Sequence, residues 1–434
     1  MERFSLRRGD GRQAAVMELA IPEFQFRFMP RLGHIIYPGN FHPVGVQKDA
    51  QAMVDRVVSE RGAPEPGAGG RWLVVGGSGG FGSGARVALG AGLGAHTLSA
   101  SFDAEPQPGS NNKIRRIGSP GYHRNLALDR GLAALGLRAR SIRADAFSPD
   151  DRNRVYEAIE RDLGGPLDGI VWALAAPRAV DVRTGRTVAS ALRPCGREVR
   201  VKTFSGKDPA KGEPPRVTGV DIPPGTPEEA VSTIFVMGGH IVETWVRELL
   251  GRNLLARGAT VLTISYRGNV LNEGIYRKGL IGLAKADLEF TTKALDAVLA
   301  DAVGGRALAV EGPAVVTEAS GGIPGVPLYM ALAMDVLGER YEDPLASMRR
   351  LFDEKLAGEA PVVDDEGLVR MDDRELEPAV LDELVRRFEA LREGDAFDEA
   401  LYDRFMAAYA RTRGFGVEGV DYEAPFDVDA VCRP

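Results

Sequence analysis

Trp72-Leu73-Val74-Val75-Gly76-Gly77-Ser78-Gly79-Gly80-Phe81-Gly82 decides how this chain folds. The apolar residues Trp72 to Val75 read as a short buried strand, the glycines form a G-x-x-x-G-x-G turn, and small residues from Gly84 to Gly92 read as a helix. Such a turn needs glycine because the backbone must bend tightly and approach a pyrophosphate with no side chain in the way. The helix that follows offers free N–H groups and the positive end of its dipole to the anion. Gly76, Ser78, Gly80, Phe81 and Gly82 are therefore expected to hold a dinucleotide, with a plain flexible loop as the alternative.

Working outward, Thr97 to Phe102 reads as a second strand, Arg138 to Asp145 as a third and Gly169 to Ala175 as a fourth, with a helix over Pro149 to Leu163. Thr260 to Ser265 and Ala307 to Val316 repeat the strand signal, and a helix runs through Lys285 to Val298 between them. Strands alternating with helices predict an α/β fold of the Rossmann type: a doubly wound parallel sheet with substrate-binding insertions and a helical C-terminal region. The turn-rich Pro64 to Gly70 marks the end of an N-terminal segment, residues 1–70. A catalytic core is expected over residues 71–340, and a charged, helical region such as Glu375 to Arg392 over 341–434. Two long polar stretches, Gly109 to Asn125 and Val180 to Pro227, read as loops that cover a substrate.

Asp103, beside Phe102 and about twenty residues past the last glycine, stands where a carboxylate accepts from an adenosine ribose and repels a 2′-phosphate. NADH is thus favoured over NADPH. An ordinary turn acid before Pro106 is the alternative reading of Asp103, and Lys113, Arg115, Arg116 and Arg124 keep NADPH open if they fold back towards a phosphate.

The 434 residues are 44% hydrophobic and 26% charged, which suits a globular protein, and a net charge of -7 argues against a nucleic-acid binder. Cys195 and Cys432 lie far apart, and His34, His42, His96 and His123 lack ligand spacing, so neither a disulfide framework nor a metal site is expected. With no signal-peptide pattern and no long apolar run, the expected location is the cytoplasm.

Tyr276 and Lys285 are separated by eight residues, a spacing that an ideal helix would not bring to one face. Gly279 and Gly282 put Tyr276 on an irregular approach and Lys285 inside the helix. Spacing alone says little more. The ordered run of segments does: His42 to Gly45, Gly76 to Gly82, Ala144 to Ser148, Leu174 to Arg178, Val236 to Gly239, Ser265-Tyr266, Ile275 to Lys285, Ile323 to Tyr329, Arg370 to Asp373 and Gly419 to Glu423. In these the chain resembles the trans-2-enoyl-CoA reductases and the related FabV-type enoyl-acyl-carrier-protein reductases.

The resemblance implies a catalytic Tyr276–Lys285 pair, a further active-site Tyr266, Asp145 and Ala146 bordering the adenine, and Leu174 and Ala175 along the cofactor. It also implies Val316 and Thr317 near the nicotinamide, NADH as cofactor, an acyl-CoA or acyl-carrier-protein thioester as substrate, and a monomer. Hydride would add to the β-carbon, Tyr276 would stabilise the enolate, and Lys285 would bind ribose and favour the ionised phenol.

The departures cluster. His240, Ile241 and Val242 replace Glu, Asp and Trp after Met237-Gly238-Gly239, and Tyr122, His123 and Arg124 replace Trp, Tyr and Asn. Arg267 follows Tyr266, and Glu318 takes a usually basic or amide position. His240, Arg267 and Tyr266 are accordingly expected to contact substrate in a rebuilt pocket. Two other functions stay open: a redirected reductase of a conjugated carbonyl or imine, and a cofactor-binding protein without turnover.

Overall fold

Short runs rich in β-branched and aliphatic residues build the centre of the molecule, most apolar in the central strands, where both faces of the sheet are covered. The computed structural model describes residues 41–107, 110, 116–207, 212–422, 424 and 426–433, with the backbone of a strand at Val16–Met17. Among these, seven strands form one parallel sheet: β1 (Arg71–Val75), β2 (His96–Ser101), β3 (Ala139–Arg143), β4 (Leu167–Trp172), β5 (Leu255–Ser265), β6 (Arg306–Glu311) and β7 (Val369–Arg370). Their spatial order is β7-β6-β5-β4-β1-β2-β3. The chain winds outward from β1 through β3, returns beside β1 as β4, and winds out the other way. The reversal leaves a crevice at the C-terminal ends of β1 and β4, where ligands bind in such sheets.

Among the described residues the α-helices of seven residues or more are α1 (Pro43–Arg61), α2 (Gly80–Val87), α3 (Pro120–Ala133), α4 (Pro149–Ala158), α5 (Pro227–Met237), α6 (His240–Gly251), α7 (Leu280–Val303), α8 (Val326–Leu337), α9 (Pro344–Arg350), α10 (Pro378–Ala390) and α11 (Glu399–Thr412). One face of the sheet packs on α4, α6 and α7 through Leu98, Ile170, Trp245 and Leu288. The other packs on α1, α2 and α9 through Val54, Val74, Leu89 and Met348. A third apolar cluster, with Phe204, Tyr276, Val316, Tyr329 and Phe405, joins the C-terminal edge of the sheet to α8 and α11.

The strands expected from sequence are present with shifted ends. The largest difference is the strand expected over Ala307 to Val316, which stops at Glu311. Beyond it the chain leaves the sheet because side chains satisfy its N–H groups: Ala314 donates to Glu375 at 2.8 Å and Val316 to the Tyr341 hydroxyl at 3.1 Å. The helix expected from Gly84 begins four residues earlier, at Gly80. The stretch Val180 to Pro227 holds two antiparallel hairpins, Arg178–Asp181 with Arg186–Ala189 and Val199–Phe204 with Val217–Ile222. Lys113 and Arg115 lie outside the described residues, as does His34.

Candidate active site

The turn after β1 has the geometry of an anion cradle. Gly76 has φ +84°, and a methyl there would meet the Ala173 carbonyl at 2.9 Å, so only glycine lets β1 and β4 close on the crevice. A methyl on Gly82 would overlap the Gly76 carbonyl oxygen, so the first turn of α2 can lie against the loop only without a side chain. Gly79 caps α2 and brings no side chain to its first N–H groups, which stay open to an anion. The residues present therefore fit a dinucleotide pyrophosphate.

Asp103 lies just past β2 and is held firmly. Its carboxylate accepts from Ser101 Oγ at 2.7 Å and from Ser119 Oγ at 3.1 Å. Gly121, at the start of α3, sits so close that a methyl would overlap the carboxylate. A longer bond from Asn125 Nδ2 at 3.5 Å adds to these, and the carboxylate still has acceptor sites for ribose hydroxyls. Phe102 is 60% exposed, with the Arg143 guanidinium 4.5 Å above its ring. Asp145 accepts from the Phe147 N–H at 3.0 Å and shapes the loop after β3, with Ala146 buried beneath it. Leu174 and Ala175 follow β4 across from Gly76, and the Thr317 methyl faces Gly80.

Tyr266 and Tyr276 meet edge to face, ring centroids 4.7 Å apart, at the end of β5. Tyr276 sits on the turn before α7, its N–H donating to the Asn272 carbonyl, and Lys285 lies inside α7, as the glycines imply. The Lys285 ammonium donates to the Ile264 carbonyl at 3.0 Å. Burial lowers its pKa while Glu311 and Glu289 pull it up. Burial alone raises the Tyr276 phenol, and burial followed by Glu375 and Tyr276 raises Tyr266. Both shifts run towards the protonated phenol, opposite to the ionisation that Lys285 was expected to favour.

Behind Lys285 lies a carboxylate cluster that sequence reasoning missed. Glu289, one turn along α7, accepts from Ser265 Oγ at 2.9 Å and from Arg267 and Arg277. Glu311, paired in register with Ser265, is 0% exposed, and burial and then Glu289 push its pKa up to about 8. Arg267 belongs to this cluster: it pairs with Glu289 at 2.8 Å, Glu366 at 2.9 Å and Glu311 at 3.5 Å. The structure brings it to these acids, and among the described residues its guanidinium hydrogen-bonds to Glu289 and Glu366 rather than to either tyrosine. His240 opens α6 and stacks on Phe235, centroids 4.8 Å apart, beside Phe147. Its partial burial there lowers its pKa.

Two departures from the family pattern touch one another. Arg124 donates to the Glu318 carboxylate at 2.9 Å, to the Ser78 carbonyl at 2.6 Å and to the Thr412 carbonyl at 2.7 Å. The pair straddles the glycine turn and ties it to α11. His123 is buried between Gln47 and the Ile117 carbonyl, with a pKa lowered to about 4 by burial. Among the described residues no cluster of His, Cys, Asp or Glu could hold a metal ion, and no helix is long and apolar enough to cross a membrane.

A doubly wound sheet with a glycine cradle and a buried tyrosine–lysine site defines a dinucleotide-dependent oxidoreductase. Residues 116–357 match the family described as trans-2-enoyl-CoA reductase catalytic region, and residues 30–108 match its NAD(P)H binding domain. The chain belongs to the trans-2-enoyl-CoA reductase family. It is 33% identical over 394 residues to an enoyl-[acyl-carrier-protein] reductase [NADH] of Coxiella burnetii, covering 89% of this chain and 93% of that one. A protein of the same description from Opitutus terrae is 36% identical over 389 residues, covering 89% and 95%. The crystal structure of Clostridium acetobutulicum trans-2-enoyl-CoA reductase in complex with NADH superposes with a TM-score of 0.83 at 30% identity, covering 92% of this chain and 98% of that one. The Treponema denticola enzyme in complex with NAD gives 0.78 at 32%, covering 89% and 95%. Residues 363–426 match a domain described as enoyl reductase FAD binding. Its described residues here are mainly α10 and α11, without a glycine-rich strand-to-helix turn, and do not form a flavin cradle.

Proposed function

We propose that the chain reduces the C2=C3 double bond of a 2-enoyl thioester, carried on CoA or on an acyl-carrier protein, in the cytoplasm and as a monomer. The observation that carries this reading is the shared edge: the glycine cradle, the two phenols and Lys285 all sit at the C-terminal end of one parallel sheet. NADH, when bound, supplies the hydride.

The protein's own part is to bind, orient and stabilise charge. Gly76, Ser78, Gly80, Phe81 and Gly82 hold the pyrophosphate, Phe102 and Asp103 the adenosine ribose, and Asp145 and Ala146 the adenine. Leu174, Ala175, Val316 and Thr317 line the way to Lys285, whose ammonium serves the nicotinamide ribose. As charge develops on the thioester oxygen, the protonated phenols of Tyr276 and Tyr266 donate to it; removing one donor of this kind costs about 10²- to 10³-fold in rate. The pKa shifts support this, since a phenol that keeps its proton is a donor. His240 borders the acyl side through its stack with Phe235, while Arg267 acts on that side only through the carboxylates it holds. The His240 stack, on the acyl side, favours an acceptor outside ordinary fatty-acid synthesis, and a second reading extends this to another conjugated carbonyl or an imine.

The test is NADH oxidation across short, medium and branched 2-enoyl-CoA and enoyl-carrier-protein substrates, in the native chain and in Tyr276→Phe and Tyr266→Phe. Turnover lowered by about 10²- to 10³-fold in each variant, with NADH binding retained, supports the reading. A native chain that binds NADH and oxidises it with no member of the panel overturns it.

A further inference from the structure

The turn from Gly268 to Asn272 holds two side-chain amides whose orientation the backbone dictates. The Asn269 N–H donates to Asn272 Oδ1 at 2.9 Å. A backbone N–H can only donate, so the atom facing it must be the amide oxygen. The Asn272 Nδ2 is thereby fixed on the other side, where it donates to the Tyr266 hydroxyl oxygen at 3.1 Å. Gly268, at φ +70°, makes the turn, and a methyl there would overlap Asn272 Oδ1.

The second amide is fixed in the same manner. Asn269 Oδ1 accepts from the Leu271 N–H at 3.0 Å, which aims its Nδ2 at the Tyr329 hydroxyl, 2.6 Å away. Tyr329 donates its own proton to the Glu375 carboxylate at 3.0 Å, and Glu375 also accepts from the Ala314 N–H. Asn269, Asn272, Tyr329 and Glu375 are all buried, so water does not compete for these bonds.

A phenol has one O–H to give and lone pairs to accept with. Asn272 occupies the accepting side of Tyr266, so the Tyr266 proton is left for a different acceptor. We propose that Asn272 is a positioning residue that keeps Tyr266 a hydrogen-bond donor, so that the Tyr266 O–H meets the carbonyl oxygen of the thioester. This rests on the enoyl-thioester reading above. An apolar side chain in place of Asn272 would leave the phenol free to turn, and an ionised carboxylate there would draw the phenol proton to itself.

Asn272→Asp tests this because it keeps the acceptor for the Asn269 N–H and exchanges only the donor. With its carboxyl protonated the variant can still donate to Tyr266, and ionised it cannot. The titratable groups acting on Tyr266 are Tyr276, Glu375 and Asp372, so the profiles are read against those of the native chain and of Asn272→Leu.

The expected result is a kcat for Asn272→Asp that falls with rising pH by about 10²-fold relative to the native chain, the order seen when one charge-stabilising donor is removed. Asn272→Leu should lose about tenfold with no new pH dependence, NADH binding should stay within about twofold in both, and neither substitution should matter in a Tyr266→Phe background. The proposal is overturned if Asp is milder than Leu at every pH, or if either substitution costs as much in the Tyr266→Phe background as in the native chain. Should Asn272→Asp not fold, the Asn272→Leu and Tyr266→Phe cycle decides alone, since additive losses overturn the proposal. A native chain without enoyl-thioester reduction would instead overturn the functional reading, which separates the two failures.

Discussion

Replacing Glu318 by Gln should loosen the glycine turn through Arg124. The Arg124 side chain is 6% exposed and Glu318 31%, so the arginine depends on its partners while the carboxylate is partly served by water. Hydrogen bonds involving a charged group contribute about 1.5–3 kcal/mol, and the solvated side of Glu318 pulls its value towards the lower end. Glu318→Gln should therefore cost about 1–2 kcal/mol, since Arg124 keeps the Ser78 and Thr412 carbonyls. Arg124→Leu strands both carbonyls and the carboxylate and should cost about 2–4 kcal/mol. The double variant should recover about 1 kcal/mol relative to the sum, because the orphaned carboxylate is gone. Urea unfolding of the full chain measures all three, and NADH titration reports the turn itself. Losses that add to within about 0.3 kcal/mol would refute the coupling.

Other consequences follow from the same geometry. Gly82→Ala should abolish NADH binding, because its methyl overlaps the Gly76 carbonyl, while Gly251→Ala, in open space, should leave titrations unchanged. Asp103→Asn should weaken NADH and narrow the preference over NADPH, read from the ratio of kcat/KM for the two, since it removes the charge that opposes a 2′-phosphate. Glu311 has its pKa raised from 4.5 to about 8 on folding, by burial first and Glu289 second. The folded chain then binds more protons than the unfolded one in that window, so the contribution of Glu311 is fully present below about pH 4.5 and is lost as pH rises through about 8. Thermal unfolding of Glu311→Gln should accordingly depend less on pH between those limits than the native chain, and an equal slope would contradict the assignment.

How much of this was legible in the sequence depends on the range of the interactions concerned. The cradle was, because a strand, a glycine turn and a helix are contiguous and each glycine answers a local steric demand. The alternation of strands and helices gave the sheet for the same reason. The end of β6 was not legible: Val315 and Val316 look like strand, and they leave the sheet because Glu375 and Tyr341, far along the chain, satisfy their segment's N–H groups. The hairpin at Arg178–Asp181 has a local signal in its turn, since Asp181 accepts from the Arg183 N–H and Gly185 turns at φ +68°. Arg124 and Glu318 each stood out as departures, but their contact spans the sheet edge and no spacing announces it. Asp103 stood out in the sequence by its position after the strand, while the serines that hold it, Ser101 and Ser119, did not. Glu289 was the nearest to being found, lying four residues past Lys285 and so on the same helix face.

The central claim is that hydride goes to the β-carbon of an enoyl thioester while the tyrosines hold charge on its oxygen. Deuterium transfer from labelled NADH tests it most directly. The account predicts a saturated thioester with one deuterium at Cβ and a solvent proton at Cα. Deuterium on the carbonyl carbon, with an aldehyde or alcohol as product, would contradict it.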